Sequence, residues 1–243
     1  MAVFYRNPQH EYPVATRGEG VYLYDAQGRQ YLDGSGGAAV SCLGHGHPGV
    51  IAGITEQLHR MAFAHTAFFT NAPQEQLAEM LARQFGEQDA RTYCLSGGSE
   101  ANETALKLVR QYWLARGRPE KSLMISRHQS YHGNTLGALS ISGNLGRRQT
   151  YGPLMHDWPK IEPCYAYRHQ REGESEWEYG QRSAAGLEAA ILEAGAENVA
   201  AFIAETVVGA TLGAVPAVEG YYQRIREICD QYEVLLVLDE VMS

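Results

Sequence analysis

Residues 92–109 contain a short apolar run, then a glycine turn, then a helical pattern. A turn between a strand and the start of a helix could bind an anion. The run 93–95 predicts a buried strand, and residues 96–99, Ser-Gly-Gly-Ser, end it. Glycines let a backbone approach a ligand closely, and the first N–H groups of a helix point at an anion along the helix dipole. Ser99 would then donate to a phosphate. In the alternative, Ser99 caps an ordinary helix by accepting from the backbone N–H near Asn102.

The turn at residues 96–99 matches neither of the two common nucleotide fingerprints. It is not G-x-x-x-x-G-K-[ST], and its adjacent glycines do not make G-x-G-x-x-G. The sequence therefore does not predict a mononucleotide or dinucleotide as the anion.

Two carboxylates each follow an apolar run that is typical of a buried strand. Glu205 ends the run 199–204, and Asp239 ends the run 234–238. A solvated acid at the end of a strand is the alternative for both, and it is weaker for Asp239. A buried aspartate needs a cationic partner, and a protonated pyridine nitrogen would serve.

Two histidine pairs could suggest a metal, but neither has the context that a metal site needs. His45 and His47 lie in a loop with no third ligand evident nearby. His128 and His132 are four residues apart, yet a strand precedes them and Gly133 follows, which argues against a helix. We expect no metal.

The elements that must position these groups alternate between strands and helices, which predicts an α/β fold. The runs 199–204 and 234–238 predict strands that are apolar on both faces, and residues 123–127 predict a further short strand. A mostly parallel sheet with helices on both faces follows. Ligands of such sheets bind at the carboxyl ends of the strands. The predicted helices cover residues 49–62, 73–85, 100–116, 183–194 and 220–232.

The N-terminal part predicts a small hairpin over residues 20–33, with its turn at residues 25–28. A glycine-rich loop follows at 34–48 and is either functional or mobile. We expect residues 1–48 to form an N-terminal segment and residues 49–243 to form a larger domain. Residues 144–180 predict a long irregular surface segment.

The composition is that of a globular protein and argues against several classes of function. The 243 residues are 44% hydrophobic and 20% charged, and their formal net charge is −8. That charge, without a basic stripe, predicts no binding to nucleic acid. No apolar run reaches membrane-spanning length, so no membrane partner is expected. Four scattered cysteines without C-x-x-C predict reduced thiols and a cytoplasmic protein.

Several of these segments resemble the class III aminotransferases, which are pyridoxal-phosphate enzymes of fold type I. Residues 96–107 resemble the family's S-G-[ST]-E-A-N-E-x-A-[LI]-K, and residues 131–133 resemble its Y-H-G. Residues 204–209 resemble A-E-P-[VI]-x-G, and residues 238–241 resemble [LIVM]-x-D-E-[VI]. The starting segments 24–33 and 44–48 also resemble the family, so the likeness covers nearly the whole chain in family order.

The resemblance implies a role for each site residue toward pyridoxal 5′-phosphate. Gly98 and Ser99 would bind its phosphate, and Tyr131 would stack on its ring beside a wall shaped by His132 and Gly133. Asp239 would pair with the ring nitrogen. Val241 would pack on the opposite ring face, and Glu205 would position the cofactor's hydroxyl side and the substrate.

The implied reaction moves an amino group from an amine or amino acid to a 2-oxo acid, in a full-length form that is a homodimer. The same fold also hosts aminomutases, decarboxylases and racemases, and a catalytically silent fragment or binding partner is the more distant alternative. The family's Schiff-base lysine lies beyond residue 243. Lys107, Lys121 and Lys160 do not match it. We therefore expect a truncated, incomplete large domain that is inactive alone.

Overall fold

The computed structural model describes residues 2–87 and 89–243, and the chain divides into two compact units, Met1–Tyr93 and Cys94–Ser243. We describe each unit by itself. The expected domain boundary between residues 48 and 49 stays a prediction.

The N-terminal unit contains a three-stranded antiparallel sheet formed by β1 (Ala15–Glu19), β2 (Tyr22–Asp25) and β3 (Gln30–Leu32). The predicted hairpin is β2–β3, and β1 is an additional strand paired with β2. The Asp25 carboxylate holds the turn by accepting from the backbone N–H groups of Gln27 and Arg29, both at 2.9 Å. Gly28 closes the turn with a φ of +78°, which a glycine adopts without strain.

The glycine-rich loop is organised by Asp33, and its histidines have structural partners. Asp33 Oδ2 lies 2.9 Å from both Ser41 Oγ and His45 Nε2. The short α1 (Gly36–Ala39) is distorted, because all four of its residues have positive φ. His47 caps the next helix by accepting from the Val50 N–H at 3.3 Å. No group of three potential metal ligands occurs among the described residues.

Two amphipathic helices follow, α2 (Pro48–Arg60) and α3 (Ala72–Phe85), close to the predicted bounds. The spacing predicts that four apolar residues of α3 point inward, but all four are exposed: Leu77, Met80, Leu81 and Phe85. Ile54 is 57% exposed in α2 and Phe85 is 75% exposed in α3. Periodicity fixes which face of a helix is apolar, but it carries no information about what covers that face.

The C-terminal unit contains a four-stranded parallel sheet, so the predicted fold class is confirmed. Its strands are β4 (Leu123–Arg127), β5 (Lys160–Ile161), β6 (Val199–Glu205) and β9 (Leu235–Asp239), and their order in the sheet is β5-β4-β6-β9. β6 is buried at every residue, whereas β9 lies at an edge and is largely half-buried. A small antiparallel pair, β7 (Val207–Val208) and β8 (Val215–Pro216), follows β6.

Helices cover both faces of this sheet. Alternate residues of each strand point to opposite sides, so both faces carry apolar side chains that pack against helices. Phe202 of β6 packs in one cluster with Leu187 and Ile225, and Ile203 packs in another with Val109 and Trp113. The helices are α4 (Gly98–Ala115), α5 (Leu136–Ile141), α6 (Leu145–Arg148), α7 (Ala166–His169), α8 (Glu176–Ala194) and α9 (Tyr221–Gln231).

Two local expectations are wrong. Residues 93–95 form no strand, and Tyr93 is 74% exposed, because no described strand pairs with them. The segment 144–180 is also less irregular than expected. It contains a 3-10 helix (Gln149–Leu154), the edge strand β5 and the start of α8. A capping box between Ser175 and Glu178 starts α8 seven residues before the predicted position.

Candidate functional site

The carboxyl ends of the central strands bring three predicted site groups to one edge of the sheet. Glu205 of β6 pairs in register with Asp239 of β9. The loop that follows β4 carries Tyr131 to Gly133, and both acids contact it. The convergence expected for a parallel sheet is therefore present in the C-terminal unit.

Asp239 is the centre of a buried polar cluster. Its side chain is 5% exposed, and Oδ2 lies 2.8 Å from His132 Nδ1 and 2.9 Å from Asn102 Nδ2. Burial alone would raise the pKa of this carboxyl, but the hydrogen bonds from His132 and Asn102 outweigh burial and lower its pKa. Asp239 is therefore held ionised at the edge of the sheet.

His132 has a partner on one side of its ring and none on the other. Nδ1 donates to Asp239, because an ionised carboxylate can only accept. Nε2 is buried without a hydrogen-bond partner in the described part of the chain. The His132 backbone N–H donates to Ser142 Oγ at 2.8 Å, which fixes the loop that carries the ring.

Asn102 belongs to this cluster, and sequence reasoning missed it. Its amide nitrogen donates to the His132 carbonyl at 2.7 Å as well as to Asp239, so it links α4 to the loop and to β9. The spacing predicts Ala101, Ala105, Leu108 and Val109 on one stripe of α4. Val109 is buried as that pattern suggests, but Leu108 is 62% exposed and Asn102, outside the stripe, is buried. The sequence signal that could have identified Asn102 is its place inside residues 96–107, the segment that resembles the family motif.

The predicted anion turn lies at the start of α4, whose N-cap is Gly97. No described side chain caps this helix, so its first backbone N–H groups are left for another acceptor. Ser99 does not cap the helix as the alternative proposed. Its Oγ accepts from the Asn134 backbone N–H at 3.1 Å and donates to Asn134 Oδ1 at 3.2 Å.

Two glycines allow this close approach between the helix start, the loop and the chain after β9. A Cβ on Gly133 would lie 2.6 Å from Ser99 Oγ, and its φ of +133° also favours glycine. A Cβ on Gly98 would lie 2.8 Å from Val241 Cγ2. Val241 in turn donates its N–H to Asp239 Oδ1 at 3.1 Å.

Glu205 is oriented by backbone donors. Oε2 accepts from the Tyr131 N–H at 3.2 Å, and Oε1 accepts from the Gly209 N–H at 3.3 Å. Burial raises the pKa of this carboxyl, and the nearby His132 and the two N–H groups offset part of the rise. The Tyr131 ring is half-buried, and the Arg147 guanidinium carbon lies 4.4 Å from its centroid.

The donors and acceptors at this edge fit a ligand that combines a phosphate with a protonated aromatic nitrogen. The uncapped helix start offers N–H donors to a phosphate, and Asp239 offers a buried negative charge to the nitrogen. Such an edge defines an α/β protein that binds a phosphorylated cofactor.

Comparisons with known proteins agree with this class. The family model for Aminotransferase class-III matches residues 4–243. An uncharacterized aminotransferase of Schizosaccharomyces pombe is 45% identical over 242 residues, 99% of this chain and 53% of the relative. The uncharacterized aminotransferase YodT of Bacillus subtilis is 40% identical over 232 residues, 96% of this chain and 52% of the relative.

A solved amine transaminase from an uncultivated Pseudomonas species, in its PLP-bound form, superposes with a TM-score of 0.90. It is 33% identical, and the match covers 100% of this chain and 55% of that one. The chain belongs to the class III aminotransferases, with the pyridoxal-phosphate fold of type I and pyridoxal 5′-phosphate as cofactor. It spans about half the length of the curated relatives it matches.

Proposed function

We propose that the protein carrying this chain transfers an amino group from an amine or amino acid to a 2-oxo acid. The observation that carries the proposal is the ionised, buried Asp239 beside an uncapped helix start. When bound, pyridoxal 5′-phosphate supplies an aldehyde that takes up the amino group and a ring that withdraws electrons from the reacting carbon. This chain supplies the groups that hold and polarise that ring.

The start of α4 binds the phosphate. The backbone N–H groups at Gly98 and Ser99 donate to it, and the dipole of this 18-residue helix favours its negative charge. The Ser99 hydroxyl, now paired with Asn134, is a further donor. Gly133, which has no side chain, lets the loop after β4 lie directly against Ser99 at this helix start.

Asp239 keeps the ring nitrogen protonated, and His132 and Asn102 keep Asp239 charged and fixed. Both neighbours donate to the same carboxylate oxygen, which leaves Oδ1 with the Val241 N–H as its described partner. A negative charge held this way favours a positive charge on the nitrogen, and that charge strengthens electron withdrawal.

The remaining predicted residues enclose the ring and the substrate. Tyr131 and Val241 would cover opposite faces of the cofactor ring, and His132 and Gly133 would shape the wall beside Tyr131. Glu205, whose carboxylate is fixed by two backbone N–H groups, positions the hydroxyl side of the cofactor and the incoming substrate.

None of the three lysines of this chain is proposed to hold the cofactor covalently or to move the substrate proton. The Lys121 ammonium is buried at the opposite end of the sheet, where it donates to the carbonyls of Val199 and Glu233 at 2.9 Å. Lys160 donates to the Ser140 and Trp158 carbonyls, and Lys107 is exposed on α4. On this ground we propose that the chain is inactive alone.

The assembly and location are also proposals. The exposed apolar residues of α2 and α3, such as Ile54 and Phe85, would be covered in a homodimer of the full-length form. No described helix is long and apolar enough to span a membrane. All four cysteines, which lie in the described part, are free, and this supports a reducing, cytoplasmic setting.

The test is a half-reaction followed by cofactor absorbance. An amine or amino acid added to the loaded full-length protein should convert the absorbance of the aldehyde form to that of the amine form, and a 2-oxo acid should restore it. Asp239→Asn should slow this conversion by several orders of magnitude. Loss of carbon dioxide, racemisation or rearrangement of the donor without conversion would contradict transamination.

A further inference from the structure

A second cavity in the C-terminal unit shares no lining residue with the candidate site. Its volume is about 510 Å³, and it lies among α6, the 3-10 helix and residues 155–157. Its wall is apolar at Leu145 and Met155 and polar at Arg148, Gln149, His156 and Asp157. Cavities of roughly 300–1,000 Å³ are the usual size for small-molecule sites.

Arg148 lines this cavity without a satisfactory partner. Its side chain is 12% exposed, and its guanidinium makes no hydrogen bond in the described part of the chain. The Nε atom is fully buried and unpaired. Asp157 Oδ1 lies 3.6 Å from Nη2, but the Asp157 side chain is 96% exposed. The buried Nε–H therefore lacks an acceptor, and the terminal nitrogens of this nearly buried cation have only a long ion pair to a solvated carboxylate, so an anion in the cavity would find unsatisfied donors.

A second cation adds to the positive charge in this region. Burial and the neighbouring charge of Arg148 lower the pKa of Lys160 to about 8, and Asp157 offsets this only in part. The Lys160 ammonium donates to the backbone carbonyls of Ser140 at 3.2 Å and Trp158 at 2.9 Å. Those carbonyls carry no net charge, and the exposed carboxylate of Asp157 offsets the positive charge of the two cations only in part.

We propose that this cavity binds a small organic carboxylate. Its two oxygens pair with the planar fork of the Arg148 guanidinium, a geometry that a carboxylate matches with two parallel hydrogen bonds. Its hydrocarbon part packs against Leu145 and Met155, and Asp157 at the rim disfavours a second negative charge. The ligand class is therefore a monocarboxylate, and its binding does not depend on the proposed transamination.

The test compares an acid with its uncharged amide. Titration calorimetry at constant ionic strength measures 4-methylpentanoate and 4-methylpentanamide binding to the purified protein, to Arg148→Met and to Arg226→Met. Arg226 is a surface residue that pairs with Asp230 on α9, and it serves as the matched control. The acid should bind at least tenfold more tightly than the amide, and Arg148→Met should abolish that difference while Arg226→Met preserves it.

A melting curve without ligand provides a second readout, because removing an unpaired buried cation should leave the melting temperature unchanged or raise it. The Ser99→Asp variant should keep its affinity for the acid, so a failure of the proposed cofactor site would leave this result standing. Equal affinity for acid and amide, undetectable acid binding, tighter binding of inorganic phosphate, or a lower melting temperature of Arg148→Met would each overturn the proposal.

Discussion

At the scale of single residues, the candidate site depends on how Asp239 is kept charged in a buried position. Each of its hydrogen-bond donors comes from a different element, Asn102 from α4 and His132 from the loop after β4. The carboxylate therefore also connects three segments: β9, α4 and the loop after β4. Its contribution to stability follows from its titration.

The lowered pKa of Asp239 gives a pH-dependent stability. A carboxyl whose pKa is lower in the folded state stabilises the fold above its unfolded value of 3.8 and loses that contribution as the pH falls below it. Asp239→Asn should reduce the free energy of unfolding at pH 7 by about 1.5–3 kcal/mol, the usual value for hydrogen bonds to a charged group.

Urea unfolding of both proteins between pH 7 and pH 3 measures this difference. It should stay constant down to about pH 4 and shrink below that. The exposed Asp230→Asn serves as a control and should show a small difference, since surface ion pairs contribute little. A difference that is constant to pH 3 would mean that Asp239 does not titrate as described.

The residue types of the site could be predicted from the sequence, but not all of its contacts. Strand-ending acids and a glycine turn are visible along the chain, whereas Asn102 acts through partners 30 and 137 residues away. An isolated polar residue on a helix does not reveal such partners. Ser99 similarly bonds Asn134, which lies 35 residues further along the chain.

At the scale of elements, long apolar runs were the reliable signal. β6 was predictable because a strand covered on both faces must be apolar throughout, and the similar apolar run at 234–238 indicated β9. Residues 93–95 were not predictable, because three apolar residues carry no information about a partner strand. The apolar faces of α2 and α3 likewise define a surface without identifying its neighbour.

The edge strand β9 leads to an element-scale prediction. Leu238 is 44% exposed on β9, whereas Leu236 on the same strand packs against the buried core. An exposed apolar strand edge promotes association, and a lysine opposes it. In purified residues 1–243, Leu238→Lys should reduce concentration-dependent light scattering without lowering the melting temperature.

The matched variant Leu236→Lys should instead lower the melting temperature, because it places a charge against the core. Equal effects of both substitutions on melting would contradict the exposed position of Leu238 near the end of the strand. Unchanged scattering in Leu238→Lys would mean that association uses another surface.

At the scale of the whole molecule, we propose that the C-terminal unit of this chain recognises the cofactor, separately from any covalent bond to a lysine. Pyridoxamine 5′-phosphate isolates that recognition, because it carries an amine and cannot bond covalently to a lysine. The comparison with pyridoxamine then isolates the phosphate. Ser99→Asp adds a negative charge at the phosphate turn, and an acidic residue in the first turn also suits a helix.

The most direct measurement is therefore the dissociation constant of pyridoxamine 5′-phosphate and of pyridoxamine for the purified protein, Ser99→Asp and a control, Ser175→Asp. Ser175 caps α8, a position that aspartate also fills, so the control makes the same charge change elsewhere. The phosphorylated ligand should bind at least tenfold more tightly to the unaltered protein and to the control, and Ser99→Asp should abolish that preference. Equal binding of the two ligands, or an undiminished preference in Ser99→Asp, would contradict the assignment of the phosphate site.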